Sequence, residues 1–551
     1  MTFSRMLLGL AAAALMAVSL PAQAQQGPVV QAPVGSVEGQ AEGALNVFKG
    51  LAYAQAPTGA GRWAPPRPVQ SWLGVRKATA FGPACFQPSG GGKSVYTDPP
   101  GRMSEDCLSL NIWAPNHARG APVLVWIHGG ALLSGMSSEA IYDGAKLASR
   151  GVVVVSINYR LGVLGYLAHP DLSAESPLGI SGNYGLLDQI EALRWVQRNI
   201  GAFGGDPSNV TIAGQSAGGL SVLYLMASPP ARGLFAKAIA ESAYMISTPE
   251  LKQARFGQPA AEAAGAALAA RLGAHSIADL RAADALTLTN AAAYAGFAPF
   301  GAVDGKILPR QLVETFDRGE QAPVPVLTGF NSGEIRSLRG LAPRVPANAS
   351  TYEAQIRDRY GDLADAFLKL YPSTNLEESL LATTRDALYG WTTERLAIKQ
   401  TALGQPAYVY LFDHGYPAAD QAGLHGFHAA EIPYVFGTAD KVPPFWPKPP
   451  ATPQEQALSD AMVSYWTSFA RTGAPQAAGQ PQWPPFGPTH AYMAFGQTPQ
   501  PSDHLLAGAY ELDEAVVCRR RAKGGTPWNW NFGLASPPIP ANSAACAGGQ
   551  P

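Results

Sequence analysis

A serine between two glycines is the residue of this chain best suited to covalent chemistry. The stretch GQSAG at 214–218 has the G-x-S-x-G pattern of a turn that presents a serine between a strand and a helix. The small and β-branched residues at 209–215 predict a buried strand before Ser216, and the pattern from Ala217 onward predicts a helix after it. This setting predicts that Ser216 is a nucleophile and that the N–H of Ala217 faces the oxyanion formed on an attacked carbonyl.

A serine hydroxyl becomes a useful nucleophile only when a histidine takes its proton, and a carboxylate must orient that histidine. Where G-x-S-x-G opens a helix in this way, the order along the chain is serine, acid, histidine. His425 and His428 are the candidate bases, since both lie in the loop after a strand predicted at 407–412. The residues alone leave both open.

Three carboxylates are candidates for the acid. Glu334 lies in the loop directly after a strand predicted at 323–330, and Asp413 lies at the end of the strand at 407–412. Asp304 lies in a Val-Asp-Gly turn, where capping of the turn is the better interpretation.

A glycine pair follows another predicted strand. The near-continuous apolar run at 122–128 predicts a strand buried on both faces, and it is followed by Gly129 and Gly130. Because two glycines let the backbone turn its N–H groups into a cavity, Gly130 and Ala131 are predicted oxyanion donors beside Ala217.

The predicted substrate contacts surround the nucleophile. Gly129, Leu132 and Gln215 flank the oxyanion donors and the serine, and we expect them beside the substrate. Phe297 and Phe300 are candidates for an apolar acyl pocket, with core packing as the alternative. These residues favour esters with aromatic or bulky apolar groups.

Strands and helices alternate along the first half of the chain. Short runs at 29–53 predict an antiparallel entry sheet, 152–158 predicts a second buried strand, and 183–200 predicts an amphipathic helix. The alternation predicts an α/β protein with a large, mostly parallel sheet flanked by helices and the nucleophile at a carboxyl strand end. An Ala-rich helical region around 245–320 is interpreted as a cap over the site, and the tail after 523 is predicted to be irregular.

The N-terminal 24 residues have the parts of a secretory signal peptide, with Arg5, an apolar run and a small-residue cleavage site that ends at Ala24. The rest, 25–551, contains no obvious linker, so we predict one domain in a secreted or periplasmic protein without a stable membrane anchor. With 39 Lys+Arg against 40 Asp+Glu, the charge balance excludes nucleic acid as an expected partner and favours neutral small molecules. We expect a monomer or a weak homo-oligomer.

The four cysteines are an even number in an exported chain, which favours two disulfides. Three pairings are possible, and proximity in sequence favours Cys85 with Cys107 and Cys518 with Cys546. None has the spacing of a metal site, so neither a metal nor a cofactor is expected.

Several stretches resemble the type B carboxylesterases, a family that includes cholinesterases and bacterial para-nitrobenzyl esterases. FGGDPSNVTIAGQSAG resembles the nucleophile signature of that family, EDCLSLNIW its second signature and HGGALLSG its oxyanion loop. GFNSGE resembles its acid loop and GFHAAEIPYVFG its histidine loop, and the resemblance extends from 34 to about 519. It implies an α/β-hydrolase fold and a serine carboxylic-ester hydrolase that forms an acyl-enzyme with a small-molecule ester.

Carried over residue by residue, the resemblance implies Ser216 as nucleophile, Glu334 as acid and His428 as base. It also implies a disulfide between Cys85 and Cys107 and the oxyanion donors named above. Gln215 departs from the family, which usually has Glu there, so a carboxylate near the site is missing. The segment 85–107 contains no Trp, whereas cholinesterases place a cation-binding Trp there, and this makes choline esters unfavourable substrates.

Other classes of protein are weighed against this one. A tannase or feruloyl-type esterase with a disulfide between the nucleophile and histidine loops would need cysteines where this chain has Gln215 and Ala429. A specialised hydrolase of a polyester natural product, such as a mycotoxin, is a further alternative. A noncatalytic binding module on the same fold would lack a triad member, and this chain has all three.

Overall fold

The computed structural model describes residues 27–90, 92–528 and 532–546. The signal peptide predicted at 1–24 lies outside these residues. The strands of the described part are β1 Val29–Ala32, β2 Gly35–Glu38, β3 Gln40–Glu42, β4 Leu45–Ala52, β5 Val75–Lys77, β6 Ser109–Pro115, β7 Ala121–Ile127, β8 Val153–Ile157, β9 Gly205–Gln215, β10 Lys237–Glu241, β11 Val326–Asn331, β12 Ala407–Phe412, β13 Tyr492–Phe495 and β14 Pro499–Ser502.

Helices connect most of these strands. The α-helices of the described part are α1 Ala145–Ala148, α2 Gly162–Tyr166, α3 Pro170–Glu175, α4 Tyr184–Asn199, α5 Ala217–Ala227, α6 Ala261–Arg271, α7 Ile277–Ala282, α8 Ala285–Tyr294, α9 Leu312–Asp317, α10 Ala349–Tyr360, α11 Ala364–Leu370, α12 Leu376–Arg385, α13 Trp391–Ala402, α14 Pro417–Gln421, α15 Ile432–Phe436, α16 Pro453–Thr472 and α17 Ala509–Lys523. After α17, the described tail contains only a short 3₁₀ turn, Gly533–Ala535.

Within the described residues, the central sheet has 11 strands in the order β14-β13-β12-β11-β10-β9-β7-β8-β6-β4-β3. All neighbours from β13 to β8 run parallel, and the remaining pairs are antiparallel. The predicted mostly parallel sheet flanked by helices is therefore confirmed. Strands β1, β2 and β5 form a separate small sheet.

The parallel strands are buried on both faces. In β7, Val123 and Val125 contribute to one hydrophobic core, whereas Leu124 and Trp126 contribute to the other. Alternation of side chains along a strand explains this division, because successive residues point to opposite faces. The near-continuous apolar sequence of β7 thus follows from burial on two sides.

The carboxyl ends of β7, β9, β10, β11 and β12 meet at one edge of the sheet, because these strands are parallel neighbours. This catalytic edge, as we call it, carries the loops that contain the predicted site residues. The position agrees with the general rule that ligands bind beyond the carboxyl ends of strands in open α/β sheets.

The helical region at 245–320, interpreted above as a cap, has a hydrophobic cluster of its own. Helices α6, α7 and α8 pack in a separate hydrophobic cluster with Trp63, Leu164 and Leu167. No described residue of 245–320 lines the cavity at the catalytic edge. The apolar faces of these helices are covered by their own small core, and a cap over the site stays a prediction.

Both predicted disulfides are formed in the structure, Cys85 with Cys107 and Cys518 with Cys546. The first closes a segment that contains no helix or strand among its described residues. The second connects α17 to the tail. Their sequence separations are 22 and 28 residues.

Candidate active site

Ser216 lies on a strained turn between β9 and α5. Its φ of 58° and ψ of −121° are rarely adopted by a residue with a side chain. The Ser216 N–H donates to the carbonyl of Glu241 at 2.9 Å, which attaches the turn to β10. Gly218 is required by close packing, since a Cβ there would lie 2.0 Å from the carbonyl oxygen of Ile127. The predicted strand–turn–helix setting of Ser216 is therefore present.

His428 and Glu334 are in contact at the same edge. The Nδ1 atom of His428 is hydrogen-bonded to Oε2 of Glu334, and the side chains are 7% and 0% exposed. Oε1 of Glu334 accepts from the Ser242 hydroxyl at 2.6 Å and from the Asn331 N–H at 2.8 Å. Because a carboxylate only accepts, Nδ1 of His428 is the donor, and in a neutral imidazole with this tautomer Nε2 has the lone pair that can take a proton.

The acid loop and the histidine loop are connected by hydrogen bonds to main-chain carbonyl groups. The N–H of Gly333 donates to the carbonyl of Gly426 at 2.8 Å. The side-chain amide of Asn331 donates to the carbonyl of Phe427 at 2.7 Å. These bonds hold the two loops in register, so that residues 94 positions apart in sequence meet.

Gln215 contacts the histidine. Its amide nitrogen lies 3.3 Å from Nε2 of His428. An amide nitrogen can only donate, so Gln215 is the donor when these two atoms are hydrogen-bonded. Gln215 and Ser216 both line the cavity that His428 faces. A neutral amide thus lies beside the imidazole at the position where the family that the sequence resembles usually has Glu.

The other candidate base and acids lie elsewhere. His425 is 41% exposed and is hydrogen-bonded to Asp420 at 2.8 Å and to Asp413 at 3.2 Å. Asp304 accepts from three backbone N–H groups of the turn that follows it and from the Asn183 amide. None of these residues lines the cavity among the described parts of the chain.

The loop after β7 has the backbone of an anion-binding turn. Gly130 and Ala131 have φ of 99° and 57°, and in the described structure neither donates its N–H to another protein group. Both line the cavity beside Ser216, as Gly129 does. These two N–H groups, with that of Ala217 at the start of α5, are available to an oxyanion on a carbonyl bound at Ser216.

Burial at this edge raises the pKa of two further carboxyl groups. The pKa of Glu431 is raised to about 7 by burial and by the negative charge of Glu334. Glu241 is also fully buried, and burial and Glu431 together raise its pKa well above the ordinary value. The side chain of Glu431 accepts from the Asn331 amide, and that of Glu241 accepts from the indole N–H of Trp466 at 2.6 Å.

A cavity of about 1030 Å³ opens onto Ser216. Its wall is rich in aromatic side chains and includes two loops, 87–100 and 337–341, that sequence reasoning did not assign to the site. The aromatic residues that line it are Tyr96, Tyr142, Tyr244, Tyr389 and Trp446.

Three predicted substrate contacts are not among the lining residues. Leu132 is buried in the main core, whereas its neighbour Leu133 lines the cavity. Phe297 and Phe300 are partly buried and pack against the hydrophobic cores. The apolar residues after α8 are thus used for packing, and their spacing in sequence could not reveal this.

Sequence reasoning also missed Ser242, Tyr96 and Gln87, which contact the acid, the histidine loop and the oxyanion loop. Of the residues described at this edge without having been predicted, Glu431 could have been found from the sequence, since it lies within the histidine-loop motif GFHAAEIPYVFG. In the described ranges, no group of three or more His, Cys, Asp or Glu residues is arranged to hold a metal ion. No helix in the same ranges is long and apolar enough to cross a membrane.

Two known esterases are similar in sequence to this chain. Fumonisin B1 esterase of Sphingopyxis macrogoltabida is 36% identical over 480 residues, which cover 84% of this chain and 85% of that protein. Para-nitrobenzyl esterase of Bacillus subtilis (strain 168) is 36% identical over 467 residues, with coverage of 83% and 92%.

Solved structures extend the similarity to the fold. A para-nitrobenzyl esterase structure superposes with a TM-score of 0.76 at 34% identity and covers 88% of this chain and 99% of its own. A carboxylesterase of Geobacillus stearothermophilus gives 0.76 at 33% identity with the same coverage. The predicted α/β-hydrolase fold is confirmed. Since the model of the carboxylesterase family also matches residues 26–512, the chain belongs to the carboxylesterase family and is a carboxylic-ester hydrolase.

Proposed function

We propose that this esterase forms an acyl-enzyme on Ser216, with His428 as the base and Glu334 as the acid that orients it. The observation that carries the proposal is the hydrogen bond of His428 to the buried Glu334 at the edge of the cavity that contains Ser216. Ser216 lies on a strained turn and lines the cavity, where its hydroxyl can approach an ester carbonyl.

In this proposal, Nε2 of His428 takes the proton of the Ser216 hydroxyl as Oγ attacks the ester carbonyl. The negative charge that develops on the carbonyl oxygen is stabilised by the N–H groups of Gly130, Ala131 and Ala217. The imidazolium then donates its proton to the leaving alcohol. Water activated by the same histidine hydrolyses the acyl-enzyme and regenerates the serine.

Gln215 has to move for this first step. Its amide donates to Nε2 of His428 at 3.3 Å, the atom that must accept the serine proton. A weak, long hydrogen bond of this kind is readily exchanged when an ester is bound and the serine hydroxyl turns toward the histidine.

A phosphonate probe tests the nucleophile. We expect stoichiometric labelling of Ser216 with loss of activity, and no labelling in Ser216→Ala. Ser221→Ala is the matched control, because Ser221 lies one turn further along α5 and its hydroxyl donates to the carbonyl of Ala217. Full turnover by Ser216→Ala would contradict the proposal.

We further propose that the substrates are neutral esters with an aromatic or bulky apolar group. The support is the size of the cavity and its five aromatic residues. Its charged groups have no dominant sign, since Asp98 and Arg339 have opposite charges. Burial raises the pKa of Glu139 to about 8, so that this side chain is protonated at neutral pH.

A panel of para-nitrophenyl esters with increasing acyl length, together with aromatic diesters, tests this preference. We expect kcat/KM to rise from the acetyl ester to the aromatic esters. Phe297→Ala and Phe300→Ala should leave the order unchanged because neither residue lines the cavity. A steady fall in kcat/KM with size would contradict the proposed substrate class.

Export is the last part of the proposal. The two disulfides support it, because such bonds persist in oxidising compartments. N-terminal sequencing of protein recovered from the periplasm or the medium should begin at Gln25. Recovery of the full chain from the cytoplasm alone would contradict export.

A further inference from the structure

The segment 85–107, closed by the first disulfide and called the 85–107 loop below, contacts two separate parts of the catalytic edge. Gln87 follows the first cysteine closely, and Tyr96 lies in the middle of the loop. Both side chains line the cavity and both form hydrogen bonds to backbone groups of other loops. A segment whose described residues form no helix or strand is thus connected to the loops that carry the proposed base and oxyanion donors.

Gln87 binds the end of the oxyanion loop. Its amide nitrogen donates to the carbonyl of Gly135 at 3.1 Å, and its amide oxygen accepts from the N–H of the same residue at 3.0 Å. The side chain is 6% exposed. The loop is closed at its other end by the N–H groups of Leu133 and Ser134, both of which donate to the carbonyl of Gly130 at 2.9 Å. The paired bonds of Gln87 therefore fix the backbone that orients the Gly130 and Ala131 N–H groups.

Tyr96 binds the histidine loop. Its hydroxyl donates to the carbonyl of His428 at 2.9 Å and lies 2.6 Å from the hydroxyl of Ser337 in the acid loop. A phenol has one proton, and a carbonyl can only accept, so Ser337 must donate to Tyr96. The Tyr96 ring also meets the His428 ring edge to face, with centroids 6.2 Å apart. One hydroxyl thus joins the backbone of the base to the loop of the acid.

The backbone at this point needs such a contact. Ala429, directly after His428, has a φ of 68°, which is unfavourable for a residue with a Cβ. This turn exposes the His428 carbonyl toward the cavity wall, where Tyr96 satisfies it. Burial raises the pKa of Tyr96, so the hydroxyl keeps the proton that it donates.

We infer that the 85–107 loop positions the catalytic machinery, with Gln87 orienting the oxyanion loop and Tyr96 orienting the base. This inference rests on the proposed roles of Ser216, His428 and the oxyanion donors. Neither residue is required to touch a reacting atom. Both act through backbone groups, so their loss should displace donors and base by fractions of an ångström. Since a displacement of about 1 Å can cost an enzyme about a hundredfold in rate, a smaller one should cost about tenfold.

The test uses Tyr96→Phe and Gln87→Met, which keep the size of each side chain and remove its hydrogen bonds. We expect each to lower kcat about tenfold, with KM changed less than twofold and with the same factor for acetyl and aromatic para-nitrophenyl esters. Because the two residues share no partner, the double variant should lose the product of the two factors.

Tyr352→Phe is the matched control. Its hydroxyl also donates to a backbone carbonyl, that of Tyr371 at 2.8 Å, in a buried region that does not line the cavity. It should keep the kcat of the wild type. Ser337→Ala, which removes only the bond donated to Tyr96, gives a second and milder variant if Tyr96→Phe does not fold. Thermal unfolding midpoints establish that each variant compared is folded.

Unchanged kcat in both variants would overturn the inference, as would losses confined to KM or to one class of ester, which would make these residues substrate contacts. Failure of the proposed function has a different signature. In that case the wild type would show no serine-dependent esterase activity, and Ser216→Ala would equal the wild type.

Discussion

The two disulfide-closed segments of this esterase have similar lengths and very different surroundings. The 85–107 loop forms part of the cavity wall and contacts the oxyanion and histidine loops. The segment 518–546 joins α17 to the tail, and Arg519 of α17 forms an ion pair with Asp362 at 2.7 Å. Closure of a loop restricts the unfolded chain to a similar extent in both cases. The same covalent device thus closes a segment that lines the cavity in one place and a segment that joins α17 to the tail in the other.

Backbone strain separates the surroundings of the cavity from the tail. Around the cavity, Ala131, Leu132, Ser216, Ser242 and Ala429 all have positive φ. In the described residues from Ala509 onward, every residue with positive φ is a glycine. Strain of about 1–3 kcal/mol per residue persists only where the surroundings hold it, and here those surroundings are the loops of the catalytic edge.

The largest effect should separate two histidines of the catalytic edge. We expect His428→Ala to lower kcat/KM by about three orders of magnitude or more, because every member of the proposed triad works through one proton transfer. His425→Ala should cost less than about tenfold, since His425 is paired with Asp413 and Asp420 away from the cavity. The measurement is hydrolysis of a para-nitrophenyl ester, with circular dichroism as the control for folding. The reverse ranking would place the base on His425.

Removal of each disulfide tests the comparison between the 85–107 loop and the segment 518–546 directly. Replacing either pair of cysteines by alanine should lower the free energy of unfolding by about 2–4 kcal/mol. Only the Cys85→Ala, Cys107→Ala variant should also lower kcat, because only this loop contacts the oxyanion and histidine loops. Urea unfolding and steady-state kinetics below the unfolding transition measure both quantities. Equal losses of kcat in the two double variants would erase the distinction.

The contributions of Glu431 at the catalytic edge and of Asp317 near α17 to the pH dependence of stability should have opposite signs. The folded pKa of Glu431, about 7, lies above its ordinary value, so its contribution is present below about pH 4.5 and is lost as the pH rises through 7. Burial alone would raise the pKa of Asp317, near α17, but the charges of Arg395, Arg521 and Lys399 outweigh it and lower the pKa. The contribution of Asp317 is therefore present at neutral pH and is lost only as the pH falls below about 4.

We expect the difference in unfolding free energy between wild type and Glu431→Gln to fall between pH 5 and 8. For Asp317→Asn, the same difference should stay constant over that range and decrease only in acid. Urea titrations at several pH values measure both. A flat profile for Glu431→Gln would show that Glu431 is ionised in the folded protein throughout.

The smallest expected change in the free energy of unfolding concerns the strained backbone at Ser216. Ser216→Gly should abolish activity and raise the free energy of unfolding by about 1 kcal/mol, because glycine adopts a φ of 58° without a steric penalty. Ser216→Ala also removes the hydroxyl but keeps the Cβ, so its stability should equal that of the wild type. If glycine destabilised the protein relative to alanine, the turn would not be strained.

Sequence alone determined the parts of this protein that depend on neighbouring residues. The apolar runs of β7, β8 and β12 and the amphipathic pattern of α4 predicted those elements within about two residues, because burial on one or two faces imposes a period on the chain. The turn at Ser216 was also recognised from a short local motif, although the reason for Gly218 is tertiary, namely its close approach to Ile127 of β7. The family resemblance came from the same short motifs.

Tertiary structure decided everything that depends on distant residues. Sequence patterns left His425 and His428 open as bases, and only the meeting of the β11 and β12 loops puts His428 against Glu334. The same patterns did not reveal that Tyr96 reaches a carbonyl 332 positions away, or that helices α6 to α8 pack in one cluster with Trp63 and Leu164. The type of a residue shows whether it needs apolar contacts or a hydrogen-bond partner. Which residue becomes that partner depends on the packing of the whole chain.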